Sequence, residues 1–232
     1  MNEIRSKKEM KQEIQHILKD KTGALAENDV KDLLSKYGIT TTTYAVVKEK
    51  KDVTLLNPRF PVALKVCSSK LLHKTDVDGV RLNIASMDEL LSVFDDFKKR
   101  FPDERFLVDE MVEKGVEAIV GLVQDPTFGL CIMCGVGGVF TELYQDVSFR
   151  VVPIEPADTD EMIAELKGKK LFEGFRNMKV DRKAFRDLLM KVSRIGEELI
   201  DVVDQMDLNP VFLYEQGYCV VDAKAVLKEE VN

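Results

Sequence analysis

Histidine is nearly absent from this chain: His16 and His73 are the two it has. His73 lies in SSKLLHKTDVDGV, a polar turn that follows the apolar run VALKVC. A histidine there can be a nucleophile held over a nucleotide. Taken alone, it is better explained as a solvated loop residue. His16 falls on an amphipathic stretch and reads as a surface or helix-end residue.

Charged residues inside apolar runs are the next candidates. Side chains alternate along a strand, so in PVALKVC Lys65 shares a face with Ala63 and Cys67. Small neighbours leave room for a ligand; an edge-strand lysine pointing to solvent is the alternative. In FLVDEMV, Glu110 shares a face with Phe106, Val108 and Val112. In VEAIVGLV, Glu117 falls with Ile119 and Val123. An unpaired buried charge costs several kcal/mol. Three such residues on neighbouring segments suggest a lined polar site, with a structural Lys–Glu pair as the competing account.

The C-terminal run DLNPVFLYEQGYCVVDA carries a geometric inference. With Glu215-Gln216 as the loop, Tyr214 faces Gly217 and Asn209 falls opposite Asp222. Directly opposed residues have Cβ atoms about 5 Å apart on one face. Asp207 shares the face of Asn209. Such oxygens suit magnesium, which takes one or two carboxylates, waters and substrate phosphates. Ordinary turn chemistry around Pro210 is the other reading. The cluster Gly135-Val136-Gly137-Gly138 can turn backbone N–H groups toward an anion. It is not a P-loop, because no GK[ST] follows, and a tight turn explains it equally well. Cys131 and Cys134 form a C-x-x-C inside the apolar run LCIMC. With Cys67 and Cys219 they read as buried, reduced residues rather than a zinc site.

The elements that must position these residues can be read from periodicity. Residues 3–20 form an amphipathic arm, and a second helix runs from Asn28 as N-cap to Gly38 as terminator. Strands are expected at 41–47, across FPVALKVCS and across DGVRLNIAS. Ser86 to Glu89 is a capping box opening a helix to about Lys99. Strands follow at 105–112, 116–125, 130–136 and 149–154, then helices at 158–167 and 181–202, then the terminal hairpin. Helices and mostly antiparallel strands mix without β-α-β alternation, an α+β pattern. A division falls near residue 110: an arm over 1–23, one subdomain over 24–110 and a second over 111–232.

Taken together, FPVALKVCSSKLLHKTDVDGVRLNIAS, GVEAIVGLVQDPTFGLCIMCGVGGVFTELYQDVSFRVVPI and DLNPVFLYEQGYCVVDAKAVL resemble the β subunit of ADP-forming acetyl-CoA synthetase (acetate–CoA ligase). The resemblance spans about Ala24 to Leu227. It implies an ATP-grasp fold of two α+β subdomains with nucleotide bound between antiparallel sheets. It also implies the reaction acyl-CoA + ADP + phosphate ⇌ acid + CoA + ATP, with ADP/ATP, phosphate and Mg2+ at the site. The phosphoryl group would pass through phosphohistidine, and His73 in L-H-K-[ST]-D would be an acceptor on that route. Lys65 would hold nucleotide phosphates. Glu110, Met111 and Val112 would lie at the adenine hinge, and Glu117 would contact ribose or phosphate. Gly137 and Gly138 would shape the phosphate-side loop, and Asn209 and Asp222 would bind magnesium. Arg150 is a phosphate candidate, with a structural salt bridge as its equal. A CoA-binding α subunit would complete the enzyme as an α2β2 heterotetramer, since this length leaves no room for CoA-binding domains. Direct phosphorylation of a carboxylate, or a non-catalytic scaffold, are the alternatives. Three departures stand out: Ser69 where relatives commonly have proline, Gln205 where an acid commonly precedes D-[IL]-N-P, and Cys134 for an aromatic.

Composition excludes several classes. Hydrophobic residues make up 45% and the net charge is −7, with both signs interspersed. KEKK at Lys48–Lys51 and KGKK at Lys167–Lys170 are short and read as solvated loops, so no nucleic-acid partner is expected. The polar N-terminus shows no secretory signal and no run is long enough to span a membrane. The cytoplasm is the expected location.

Overall fold

The computed structural model describes residues 7–71, 74, 76–138, 146–174 and 179–229. They divide into two compact units. One takes Ala26–Asn28 and Thr42–Glu113; the other takes the described residues up to Leu25, Asp29–Thr41 and the chain from Lys114 on. The expected division near Glu110 falls just beyond it, at Glu113. The arm, expected to stand by itself, and most of the second helix, expected in the N-terminal subdomain, both group with the C-terminal unit. The reason is apolar: Ile14, Val30, Leu33, Leu34 and Tyr37 join the core of the C-terminal unit.

The smaller unit is a four-stranded antiparallel sheet in the order β1-β4-β2-β3. Its strands are β1 (Tyr44–Val47), β2 (Val62–Cys67), β3 (Val80–Ile84) and β4 (Arg105–Glu110). Helices α3 (Lys50–Thr54) and α4 (Met87–Arg100) accompany it. Leu90, Phe94 and Phe97 recur at helical spacing on α4 and pack on Val62, Leu64, Val66, Phe106 and Val108. Phe94 meets Phe106 edge to face at 5.4 Å. Ser86 caps α4 by accepting from Glu89 N at 3.3 Å, while the Glu89 carboxylate accepts from Ala85 N, not from Ser86 N. The expected capping box is therefore closed one residue early.

The larger unit holds a six-stranded sheet in the order β10-β8-β5-β6-β7, with β9 paired to β8. Its strands are β5 (Val116–Asp125), β6 (Gly129–Val136), β7 (Val147–Val151), β8 (Val203–Leu213), β9 (Tyr218–Val220) and β10 (Ala223–Leu227). Helices α1 (Lys7–Leu18), α2 (Glu27–Lys36), α5 (Pro156–Glu165), α6 (Lys170–Glu173) and α7 (Arg182–Glu198) complete the chain. One sheet face, Ala118, Val120, Leu122, Leu130, Ile132 and Cys134, shares a core with Phe185, Leu188, Leu189, Val192 and Ile195 of α7. A fully buried Leu, Ile or Phe contributes about 1.5–3 kcal/mol each. Asp181 caps α7 by accepting from Ala184 N, and its second oxygen accepts from Gly217 N. That bond ties the helix start to the β8–β9 turn.

Two helix boundaries differ from expectation. The helix α2 starts at Glu27, so Asn28 is inside it and not its N-cap. The Asn28 side-chain oxygen instead accepts from the Cys67 thiol at 3.0 Å. Gly38 does end the helix, at φ +67°. α7 stops at Glu198, short of residue 202. Among the described residues no helix is long and apolar enough to cross a membrane.

Candidate functional site

Lys65 is not an edge residue. Its strand β2 is flanked by β3 and β4, and the side chain is buried. A buried ammonium needs anionic partners; Glu27 Oε1 lies at 2.7 Å and Asp109 Oδ2 at 2.8 Å. The Thr42 hydroxyl donates to the other Asp109 oxygen. Lys74 donates to Glu27 Oε2, so one carboxylate bridges two lysines. Lys65 therefore meets Asp109 and not its neighbour Glu110. The register explains this. Lys65 opposes Leu107 and Ala63 opposes Asp109, so Asp109 shares the Lys65 face. Glu110 opposes Val62 and lies on the other, helix-covered side. Asp109 and Glu27 are the site residues that sequence reasoning missed.

Glu110 is half-buried, and its Oε1 accepts from Arg59 N at 2.8 Å. Met111 N donates to Pro61 O, and Met111 sulfur accepts from Asn83 N. With half-buried Val112 these residues form the segment leaving β4. His73 lies outside the described residues. On either side of it, Lys70 N donates to Ser68 Oγ, Gly79 N donates to Lys74 O at 2.7 Å, and Ser69 is exposed.

In the larger unit, Glu117, Gly137 and Gly138 come together. Gly137 N donates to Glu117 O at 2.7 Å. A Cβ on Gly137 would stand 2.9 Å from Glu117 backbone carbon, and one on Gly138 2.8 Å from Glu117 Oε2. Gly138 also has φ +69°. The turn therefore needs glycine both for close approach and for its left-handed backbone.

The terminal hairpin has the expected register. Tyr214 N donates to Gly217 O, Leu213 pairs with Tyr218, and Asn209 N donates to Asp222 O at 3.1 Å. Asp222 Oδ1 accepts from Ala223 N. Asp207 Oδ1 is buried and has no hydrogen-bond partner among the described residues. Burial pushes the Asp207 carboxyl above its ordinary range, against the opposing pull of the Lys224 cation and with a smaller push from Asp222. Among the described residues no three His, Cys, Asp or Glu could hold a metal by themselves. Two carboxylates and an amide oxygen, one oxygen lacking a protein partner, do fit magnesium, which completes its shell with water and phosphate. Gln205, at the position of the commonly acidic residue, is exposed and pairs with Val226.

For Arg150 the salt bridge is what the structure contains. Its guanidinium meets Glu165 at 2.6 Å, Glu161 at 3.3 Å and Asp158 at 3.9 Å. The four cysteines are buried and form no disulfide. Cys134 joins the core while Cys131, three residues earlier on β6, points to the other sheet face. The C-x-x-C cannot converge on one metal. Burial pushes the Cys134 thiol up to about 12.

A family model described as ATP-grasp domain matches residues 16–227. The chain is 42% identical over 212 residues to an Archaeoglobus fulgidus acetate–CoA ligase (ADP-forming) II, covering 88% of this chain and 30% of that one. It thus spans about a third of the length of the longer curated relatives it matches. The β subunit of acetate–CoA ligase (ADP-forming) II from Pyrococcus furiosus is 36% identical, over 93% of this chain and 96% of that subunit. Among solved structures, dinucleotide-forming acetyl-coenzyme A synthetase 1 of Ca. Korarchaeum cryptofilum matches with TM-score 0.80 and 38% identity, over 94% of this chain and 100% of that one. That protein is in complex with coenzyme A and Mg-AMPPCP, its phosphohistidine segment pointing towards the nucleotide binding site.

Proposed function

Because the chain belongs to the ATP-grasp domain family, among the ADP-forming acetate–CoA ligase β subunits, we propose that it is the nucleotide-binding part of an ADP-forming acyl-CoA synthetase. The reaction is acyl-CoA + ADP + phosphate ⇌ acid + CoA + ATP, completed by a CoA-binding α subunit in an α2β2 assembly. The observation that carries the reading is the hairpin register, which opposes Asn209 to Asp222, together with an Asp207 oxygen that has no hydrogen-bond partner among the described residues. It is a set of hard oxygen donors suited to a magnesium nucleotide.

Lys65 contacts nucleotide phosphate; Glu110, Met111 and Val112 present the backbone to adenine. Glu117 contacts ribose or phosphate beside the Gly137-Gly138 turn. Asn209 and Asp222, with Asp207, hold magnesium, which when bound neutralises phosphate charge during transfer. His73 is the acceptor. Its imidazole nitrogen attacks the terminal phosphorus of ATP, an N–P bond forms, the P–O bond breaks and ADP leaves. The phosphoramidate keeps high transfer potential, so the step runs both ways. The salt bridge of Arg150 leaves it out of this set.

The test is brief exposure of the full chain to γ-labelled MgATP. Acid-labile label is expected on His73 and absent from His73→Ala. Label persisting in the variant overturns the relay. Turnover without any label, once the α subunit is added, favours direct phosphorylation of a carboxylate.

A further inference from the structure

A cation stands among the oxygen donors of the terminal hairpin: Lys224, on β10. The register puts Lys224 opposite Asp207, and the bond from Asn209 N to Asp222 O puts Asn209 opposite Asp222. Ala223 and Ala225 turn into the core with Met206 and Leu208, so Lys224 and Asp207 both point to the other sheet face. Directly opposed residues have Cβ atoms about 5 Å apart. Asp222, Asn209, Asp207 and Lys224 therefore form a compact square of oxygen-bearing side chains and one ammonium. On its other flank Asp207 faces Gly121 of β5, where a Cβ would stand 2.6 Å from Met206 O and 3.5 Å from the Met133 methyl carbon. Asp207 thus has an apolar neighbour on one side and a cation on the other. An edge-strand lysine can simply keep neighbouring sheets apart. Lys224 is half-buried, however, and its charge opposes the effect of burial on the Asp207 carboxyl.

Charge decides what such a square can select. Ionised Asp207 and Asp222 attract a bare divalent cation, and a lysine beside them repels it. A magnesium–nucleotide complex is itself anionic, so the same carboxylates repel it and the lysine attracts it. Partial burial leaves these charges less screened than fully exposed ones. Resting on the function proposed above, we propose that Lys224 is a phosphate-contacting residue that makes this face prefer the metal–nucleotide pair to the metal alone.

The repulsion and the attraction separate when the charge is removed. Lys224→Met keeps most of the side-chain volume and loses the ammonium. Manganese chloride alone should then bind more tightly, by about threefold to tenfold, and MgADP more weakly by a similar factor. Lys224→Arg keeps the charge and should hold both affinities within about twofold of the unaltered chain. Raising the ionic strength should shrink both shifts. A lysine that only stabilised β10 would weaken both ligands in Lys224→Met, and salt would not reduce the effect.

The experiment titrates the full chain and both variants with manganese chloride, followed by the paramagnetic signal of the free ion, and with MgADP, followed by calorimetry. Urea midpoints are the folding control. Opposite shifts in Lys224→Met that are absent from Lys224→Arg support the proposal. Unchanged affinity for either ligand in Lys224→Met, or weakening of both, overturns it. Should Lys224→Met fail to fold, Lys224→Gln removes the same charge and decides in its place. An unaltered chain that binds manganese but no MgADP defeats the nucleotide reading instead. Tighter manganese binding in Lys224→Met then still supports the repulsion, and unchanged binding overturns it. An unaltered chain that binds neither ligand overturns both readings.

Discussion

Arg150 donates to Glu165, which also accepts from Ser148 Oγ. These bonds hold the Glu165 carboxyl down to about 2. A depressed carboxyl contributes stability that is present above its unfolded value, about 4.3, and is lost as pH falls toward 2. Glu165→Gln should therefore flatten the acid limb of a urea-midpoint series between about pH 4.5 and 2, with a modest effect because the pair is partly exposed. Arg150→Met should do the same and leave MgADP affinity within about twofold. A large loss of affinity in that variant would restore Arg150 to phosphate binding. Gly137→Ala should act the other way. Its new Cβ meets Glu117 backbone at 2.9 Å, so the strand or the turn must shift. A loss of about 1–3 kcal/mol in denaturant unfolding is expected, with weaker MgADP binding in calorimetry.

At the scale of elements, legibility depended on how local the determinant was. The β8–β9 hairpin was readable because a two-residue loop fixes the count on both strands, and Asn209 opposite Asp222 follows from arithmetic. The alternation in β4 correctly put Glu110 with Phe106 and Val108. It could not say that β4 lies beside β2, and that pairing is what sets Asp109 against Lys65. Glu27 was harder still. It stands at the first residue of a helix, where an acid usually suits the helix dipole, and nothing local marks it as a lysine partner. Asn28 invited an N-cap assignment because its type fits one; the Cys67 contact took its side chain instead. The helix α4 was visible from its apolar spacing, and a test belongs here. Phe94→Ala empties a position that is 1% exposed and should cost about 3–5 kcal/mol in the unit it belongs to.

For the whole molecule, the two units have separate apolar cores, one around Phe94, Phe97 and Phe106 and one around Phe172, Phe185 and Ile195. Phe94→Ala should thus raise hydrogen exchange in β2 and β4 while amides of β5 and β6 keep their protection. Equal acceleration in both would show that the units unfold as one. Fold class and family were legible because the motifs carry it over most of the chain. The division was less so: the apolar stripe of α2 announces burial without announcing which core receives it.

The buried thiols have a practical consequence. The chain has no tryptophan, so its folding is poorly followed by intrinsic fluorescence. It has instead buried cysteines in each unit, Cys67 in one and Cys131, Cys134 and Cys219 in the other. A thiol reagent reaches such a sulfur only when the surrounding structure opens. Labelling kinetics, read by mass at each cysteine, would time the opening of either unit in the unaltered protein.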